Sequence, residues 1–105
     1  MSDPVVPQDM DKLIHEPARL AIMTQLYVVE SADFIFVMQR TGLTWGNLSS
    51  HLSKLENAGY VAVTKEFVDK KPHTLLKLTP HGRTAFETYR EQMEAMLAGL
   101  PKQSI

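Results

Sequence analysis

Apolar positions at helical spacing open and close this chain, and a strict two-residue alternation lies between them. Met10, Leu13 and Ile14 share one helical face behind a capping Asp9, which predicts a short helix over 9–15. Pro17 suits the first turn of a second helix, where its missing N–H is not needed. That helix runs to about Val29 with Ile22, Met23 and Leu26 as its buried stripe. Phe34 to Met38 is a continuous apolar run, compatible with a buried strand or a helix. A cap at Ser31 before it and Gly42 after it favour a helix from Ala32 to Arg40. Thr44 caps a further helix from Trp45 to about Ala58, stopped by Gly59. The period then changes. Tyr60 to Val68 alternates and is rich in β-branched and aromatic residues, Asp69 to His73 is a polar turn, and Thr74 to Thr79 is a second strand. Thr79 and Pro80 open a last helix that runs to about Ala98.

This order of elements predicts an α+β fold, mostly α. Two short helices joined by Gly42-Leu43-Thr44 suit a helix-turn-helix, and the hairpin after it makes a winged helix-turn-helix with a two-stranded wing and a C-terminal helix. Residues 1–8 carry two prolines and no period, and read as a loose arm; 9–98 form the domain; 99–105 read as a fraying tail.

Composition narrows the function. At 105 residues the chain fits one domain, and 44% hydrophobic with 22% charged residues is ordinary for a globular protein. With no cysteine, thiolate metal sites, disulfides and cysteine nucleophiles are excluded. His15, His51, His73 and His81 show no metal-ligand spacing, so no metal is expected. No glycine-rich phosphate loop or hydrolase motif is present, so neither an enzyme nor a cofactor is expected. No apolar run reaches the roughly 18 residues of a membrane helix, and the start lacks a signal-peptide pattern, so the expectation is a cytoplasmic protein away from the membrane.

Net charge is only −1, but it is unevenly spread. Residues 37–83 hold seven basic side chains against three acidic, a net +4; the remainder holds four basic against nine acidic, a net −5. Along helix 45–58, Leu48, Leu52 and Leu55 face one way. The opposite face collects Gly46, Ser50, Ser53 and Asn57, flanked by Asn47 and Lys54. Small polar residues lose helix propensity here, yet they let a helix sit deep in a major groove and bond base edges or phosphates. Gly46 either relieves crowding beside Trp45 or brings backbone N–H groups to a phosphate. Lys65, Lys70, Lys71 and His73 cluster near the hairpin tip, suiting a wing on the phosphate backbone.

In the last helix Phe86, Tyr89, Met93, Met96 and Leu100 recur at spacings of 3, 4, 3 and 4, an a/d seam, with Leu97 beside it. Met10, Leu13 and Ile14 add a second apolar strip beyond what the core needs. Both strips predict an isologous dimer.

The stretch Gly42-Leu-Thr-Trp-Gly-Asn-Leu-Ser-Ser-His-Leu-Ser-Lys-Leu-Glu-Asn-Ala-Gly-Tyr-Val, then Lys65-Glu-Phe-Val-Asp-Lys-Lys-Pro-His-Thr, then Leu78-Thr-Pro-His-Gly-Arg, resembles winged-helix transcriptional regulators of the MarR/ArsR type. The resemblance covers about 10–97 and is nearest to the small single-domain members. It implies a homodimer with Gly46, Asn47, Ser50, His51 and Lys54 facing the major groove and Lys70, Lys71 and His73 at the wing tip. Thr44, Ser53 and Lys65 complete the expected DNA-contacting set. The expected function is a homodimeric repressor on a pseudo-palindromic operator, with any small-molecule effector unspecified; the alternative is a winged-helix module that binds protein and not DNA.

Overall fold

The computed structural model describes residues 9–101. The loose arm expected over 1–8 and residues 102–105 of the expected tail lie outside the described residues. Four helices and a three-stranded antiparallel sheet alternate as α1 (Pro17–Tyr27), β1 (Ala32–Asp33), α2 (Phe34–Thr41), α3 (Trp45–Asn57), β2 (Val61–Val68), β3 (Lys71–Leu78) and α4 (Pro80–Ala98). The sheet order is β1-β3-β2.

Three local expectations are corrected. The segment 9–15 is a turn, not a helix. Asp11 Oδ1 accepts from the Leu13 and Ile14 N–H groups at 2.9 and 3.2 Å, so a side chain takes bonds that a helix would give to the backbone. The cap of α2 is Asp33, whose Oδ1 accepts from Ile35 N–H at 2.8 Å, and not Ser31; Ala32 and Asp33 instead pair with Leu76 and Leu75 as a third strand. The wing turn is shorter than Asp69–His73. Only Asp69 and Lys70 make it, at φ 52° and 65°, and Lys71 to His73 already belong to β3. Two consecutive positive φ values form the two-residue turn whose twist matches a hairpin.

The remaining signals hold. The apolar run 34–38 is helical, and α2 ends on Gly42 at φ 72°, whose N–H bonds Met38 O at 3.0 Å. Ile22, Met23 and Leu26 of α1, Val37 of α2, Leu48, Leu52 and Leu55 of α3, and Val61, Leu76 and Leu78 of the sheet share one core. Glu16 caps α1 by accepting from the Ala18 and Arg19 N–H groups.

The two apolar strips assigned to a dimer are mostly spent on this core. Met10, Ile14, Phe86 and Tyr89 are all buried within the chain, none more than 8% exposed. The 9–16 turn folds onto α4, where His15 Nδ1 lies 2.8 Å from Tyr89 Oη. Leu13 packs on the same core. These five residues therefore do not form a spare surface, because an a/d spacing serves internal packing as well as a seam. Met93 and Met96 are half-buried, Leu97 is exposed near the end of α4, and Leu100 is exposed just beyond it.

Tyr60 fixes the junction of α3, the 9–16 turn and α4. Its hydroxyl donates to Asp11 Oδ2. Burial, reinforced by the bond to Asp11 and its negative charge, pushes the phenol up to about 12. The neutral phenol is the form that suits the fold, so this stabilisation is complete below pH ~10, where unfolded tyrosines begin to ionise. It is lost as pH rises from there through about 12. Tyr60→Phe should therefore be less stable than wild type at pH 8, with the gap shrinking at pH 11. Paired thermal melts check this; a gap constant across that range would contradict it.

Candidate nucleic-acid interface

The exposed surface of α3 is set by its cap and its leucines. Thr44 Oγ1 accepts from Asn47 N–H at 3.2 Å, which opens the helix at Trp45. Leu48, Leu52 and Leu55 anchor the inner side. Gly46, Asn47, Ser50, Ser53, Lys54 and Asn57 are then all exposed on the outer side, with Glu56 as the carboxylate at its far end. Thr44 is exposed too, but its hydroxyl is committed to the cap. No Cβ contact would arise at Gly46 within 4 Å of the described residues, so that backbone is open to an approaching ligand.

His51 is not part of this face. It is half-buried against the start of α1, with Nδ1 3.1 Å from Arg19 Nη1 and 3.8 Å from Glu16 Oε2. An Arg always donates, so the imidazole accepts at Nδ1 in this arrangement. Burial pushes the Glu16 carboxyl up, but bonds from the Arg19 and Ala18 N–H groups, with the charge of Arg19, hold it below its ordinary value. Arg19 Nε also bonds Leu13 O at 2.5 Å. The His51 cluster thus ties α3 to α1 and the 9–16 turn. The resemblance placed His51 toward the groove but could not show that α1 starts beside it.

His73 is likewise displaced from the wing tip. It sits in β3 opposite Glu66, half-buried, with Nδ1 2.8 Å from Asp33 Oδ2. That bond, with N–H donors from Ile35 and Phe36 and the nearby charge of His73, holds the Asp33 carboxyl below its ordinary value against the effect of burial. One carboxylate therefore caps α2 and clamps the wing to it. Lys65, Lys70 and Lys71 are exposed, as expected. Of the other basic residues in the middle segment, Arg83 stacks over Tyr27 at 4.8 Å and Arg40 reaches Gln25, so neither joins the α3–wing surface.

A cleft of about 360 Å³ separates α3 from the wing, lined by Ser49, Ser53 and Glu56 on one side and Val63, Lys65 and Thr74 on the other. Trp45 forms its wall. The indole packs on Phe34 of α2 with ring centres 4.4 Å apart, yet stays 60% exposed. The sequence reading passed over Phe67, 79% exposed near the hairpin tip. Its alternation with Val61, Val63 and Lys65 is the signal that marks it. Among the described residues no group of three or more metal-ligating side chains occurs, and no helix is long and apolar enough to cross a membrane.

A helix with an exposed small-polar face, held by a preceding helix across a tight turn and flanked by a lysine-bearing hairpin, defines the winged-helix class of DNA-binding domains. Sequence comparison gives the same class: the chain belongs to the winged helix DNA-binding domain family, which matches residues 18–97. The uncharacterized protein MJ0432 of Methanocaldococcus jannaschii is 36% identical over 78 residues, covering 74% of this chain and 85% of that one. A transcriptional regulator homologue from Pyrococcus horikoshii OT3 shares the fold with a TM-score of 0.83 at 30% identity, covering 88% of this chain and 91% of that one. The transcriptional repressor CouR, solved on a 23-mer DNA duplex, shares it with a TM-score of 0.69 at 20% identity, covering 83% of this chain and 68% of CouR. MarR-family transcriptional regulators stand among its structural neighbours. The homologues and the domain are those of transcriptional regulators, not enzymes.

Proposed function

We propose that the chain is a homodimeric, sequence-specific DNA-binding regulator in the cytoplasm. It acts as a repressor by covering a promoter. The observation that carries this reading is the outer face of α3, exposed from Gly46 to Asn57 and nearly free of carboxylate, beside the lysines of the wing. Asn47 and Ser50 on that face suit base edges, since an Asn amide bonds adenine in two places. Gly46, Ser53 and Lys54 suit the phosphates that border the groove, and Lys65, Lys70 and Lys71 suit the backbone beyond it. CouR, which shares this fold, was solved bound to a DNA duplex, and this supports DNA as the partner.

Lys70→Ala with Lys71→Ala tests the phosphate role. A dimer then loses up to four contacts, and each accounts for a slope of about 0.9, so the slope of log K against log salt should fall by up to about 3.6. Binding to random and selected DNA should weaken alike. Fluorescence anisotropy across a salt series reads both; an unchanged slope means the wing leaves the backbone untouched.

Dimerisation rests on the part of α4 the domain does not cover. The molecule measures 60 × 32 × 23 Å; the end of α4 carries Met96 and Leu97, and Leu100 follows it. Leu97 and Leu100 are 53% and 66% exposed. Two copies pairing along this stretch would bury it symmetrically and set two α3 helices on one duplex. Leu97→Glu with Leu100→Glu should give a folded monomer by light scattering. A wild-type monomer at micromolar concentration contradicts this assembly.

A further inference from the structure

We propose that Phe67 and Pro72 form an apolar wedge at the wing tip that enters the DNA minor groove and partly unstacks a base step, bending the duplex. This rests on the DNA-binding reading and adds to it a bent DNA and a second point of discrimination. The register of the hairpin carries the inference. Val61 pairs with Leu78, Val63 with Leu76, Lys65 with Thr74 and Phe67 with Pro72, so these four pairs share one face of the ribbon. The first two pairs belong to the core. The third lines the cleft against α3. The fourth continues the inward face about 7 Å beyond Lys65 at the usual strand rise, with Pro72 at the rim of a pocket shared with Ile35, Phe36 and Trp45 and Phe67 beyond it. Nothing among the described residues buries it: Phe67 is 79% exposed and Pro72 is exposed.

The tip is built as a stiff ribbon. The turn is two residues long, at φ 52° and 65°. Pro72 fixes its own φ and offers no N–H, and it lies beyond the reach of β1, which pairs only with Leu75 and Leu76. A flexible phosphate-touching loop needs neither feature.

Charge selects the occupant. Lys65 is on the wedge face and Lys70 is in the turn beside Asp69, while Lys71, paired with Val68, shares the opposite face with Glu66 and His73. Residues 65–72 hold three lysines against two carboxylates, so the apolar tip keeps a net charge of +1, the sign that suits a polyanion. In a minor groove the lysines would meet the two phosphate walls and the phenyl ring would meet the floor. Side chains such as Phe and Pro act as wedges there and kink DNA by roughly 20–90° toward the major groove. Exposed single apolar residues are common on protein surfaces. Here the exposed aromatic ring, its rigid cross-strand partner and the nearby lysines coincide at one end of the hairpin.

The test uses full-length dimeric protein and a 40-base-pair duplex carrying its selected site. The duplex has 2-aminopurine at successive steps outside the α3 half-sites and a donor–acceptor dye pair at its ends. Wild type should brighten 2-aminopurine at one step per half-site and shorten the end-to-end distance. Phe67→Ser should abolish both signals and weaken binding about tenfold or more, with an unchanged melting temperature because the side chain is exposed. Phe67→Leu should restore both, since the wedge needs shape and apolarity and not aromaticity. Binding by Phe67→Ser with the same bend and the same 2-aminopurine signal overturns the wedge while leaving DNA recognition intact. A wild type that binds no duplex overturns both. Loss of dimer in Phe67→Ser by light scattering assigns the patch to a second copy and overturns the wedge.

Discussion

Gly82→Ala should unfold this protein at a temperature lower by roughly 12 °C or more. A Cβ at Gly82 would lie 2.1 Å from Tyr60 O and 2.8 Å from both Tyr60 C and Cα. All three are backbone atoms, so no side-chain rotation relieves the clash. Nor can Tyr60 step aside easily. Its N–H bonds Leu55 O at 2.9 Å, and its carbonyl accepts from Thr79 N–H at 3.0 Å. Thr79 Oγ1 in turn donates to Gly59 O at 2.5 Å and accepts from Gly82 N–H at 2.9 Å. The start of α4 is thereby pressed onto the turn between α3 and β2 with no room for one methyl group. Overpacking typically costs about 1–3 kcal/mol, a clash with fixed backbone sits at the upper end, and each kcal/mol moves the midpoint of a domain this size by about 4–8 °C. Gly46→Ala is the control. Its Cβ meets nothing within 4 Å among the described residues, and Ala favours a helix by about 1 kcal/mol over Gly. That variant should melt a few degrees above wild type. Equal melting of Gly82→Ala and wild type by calorimetry would contradict the packing.

The second large effect concerns binding and leaves the fold alone. Ser50→Glu with Ser53→Glu places two carboxylates on the exposed outer face of α3. Glu is the better helix former, so melting should hold or rise. A dimer would then press four added negative charges toward a polyanion. Like-charge juxtaposition costs several kcal/mol, and about 1.4 kcal/mol is tenfold, so affinity should fall by roughly 100-fold or more on any DNA. Ser50→Gln with Ser53→Gln, uncharged and of equal length, should keep most non-specific binding. If the double Glu variant binds as wild type does, α3 does not face the DNA.

Much of this structure was legible from residue order, and the gaps have physical causes. The α3 helix was legible because three leucines at helical spacing, a Thr cap and a glycine stop all agree. The hairpin was legible because its alternation is long. β1 was not, since two residues carry no period and pair only through the fold. The 9–16 turn was missed because Asp11 competes for backbone N–H groups that a helix pattern assigns to the chain itself. His51 and His73 follow the spacing of their neighbours, and only tertiary contact turns one toward Arg19 and the other toward Asp33. The a/d spacing of α4 is ambiguous by nature. Phe86 packs edge-on against Tyr27 with ring centres 5.0 Å apart, and the same spacing further along leaves Leu100 exposed. Gly82 reads as an ordinary first-turn glycine until Tyr60 is seen against it.

Selection of bound sites from a random DNA pool by the wild-type dimer tests sequence-specific recognition most directly. Two α3 helices related by a two-fold axis should enrich a symmetric motif whose half-site centres lie about one helical turn apart, roughly 10–10.5 base pairs. The Ser50→Glu, Ser53→Glu protein should enrich nothing from the same pool. A wild-type pool that stays random at low salt after repeated rounds would contradict recognition of DNA by this surface.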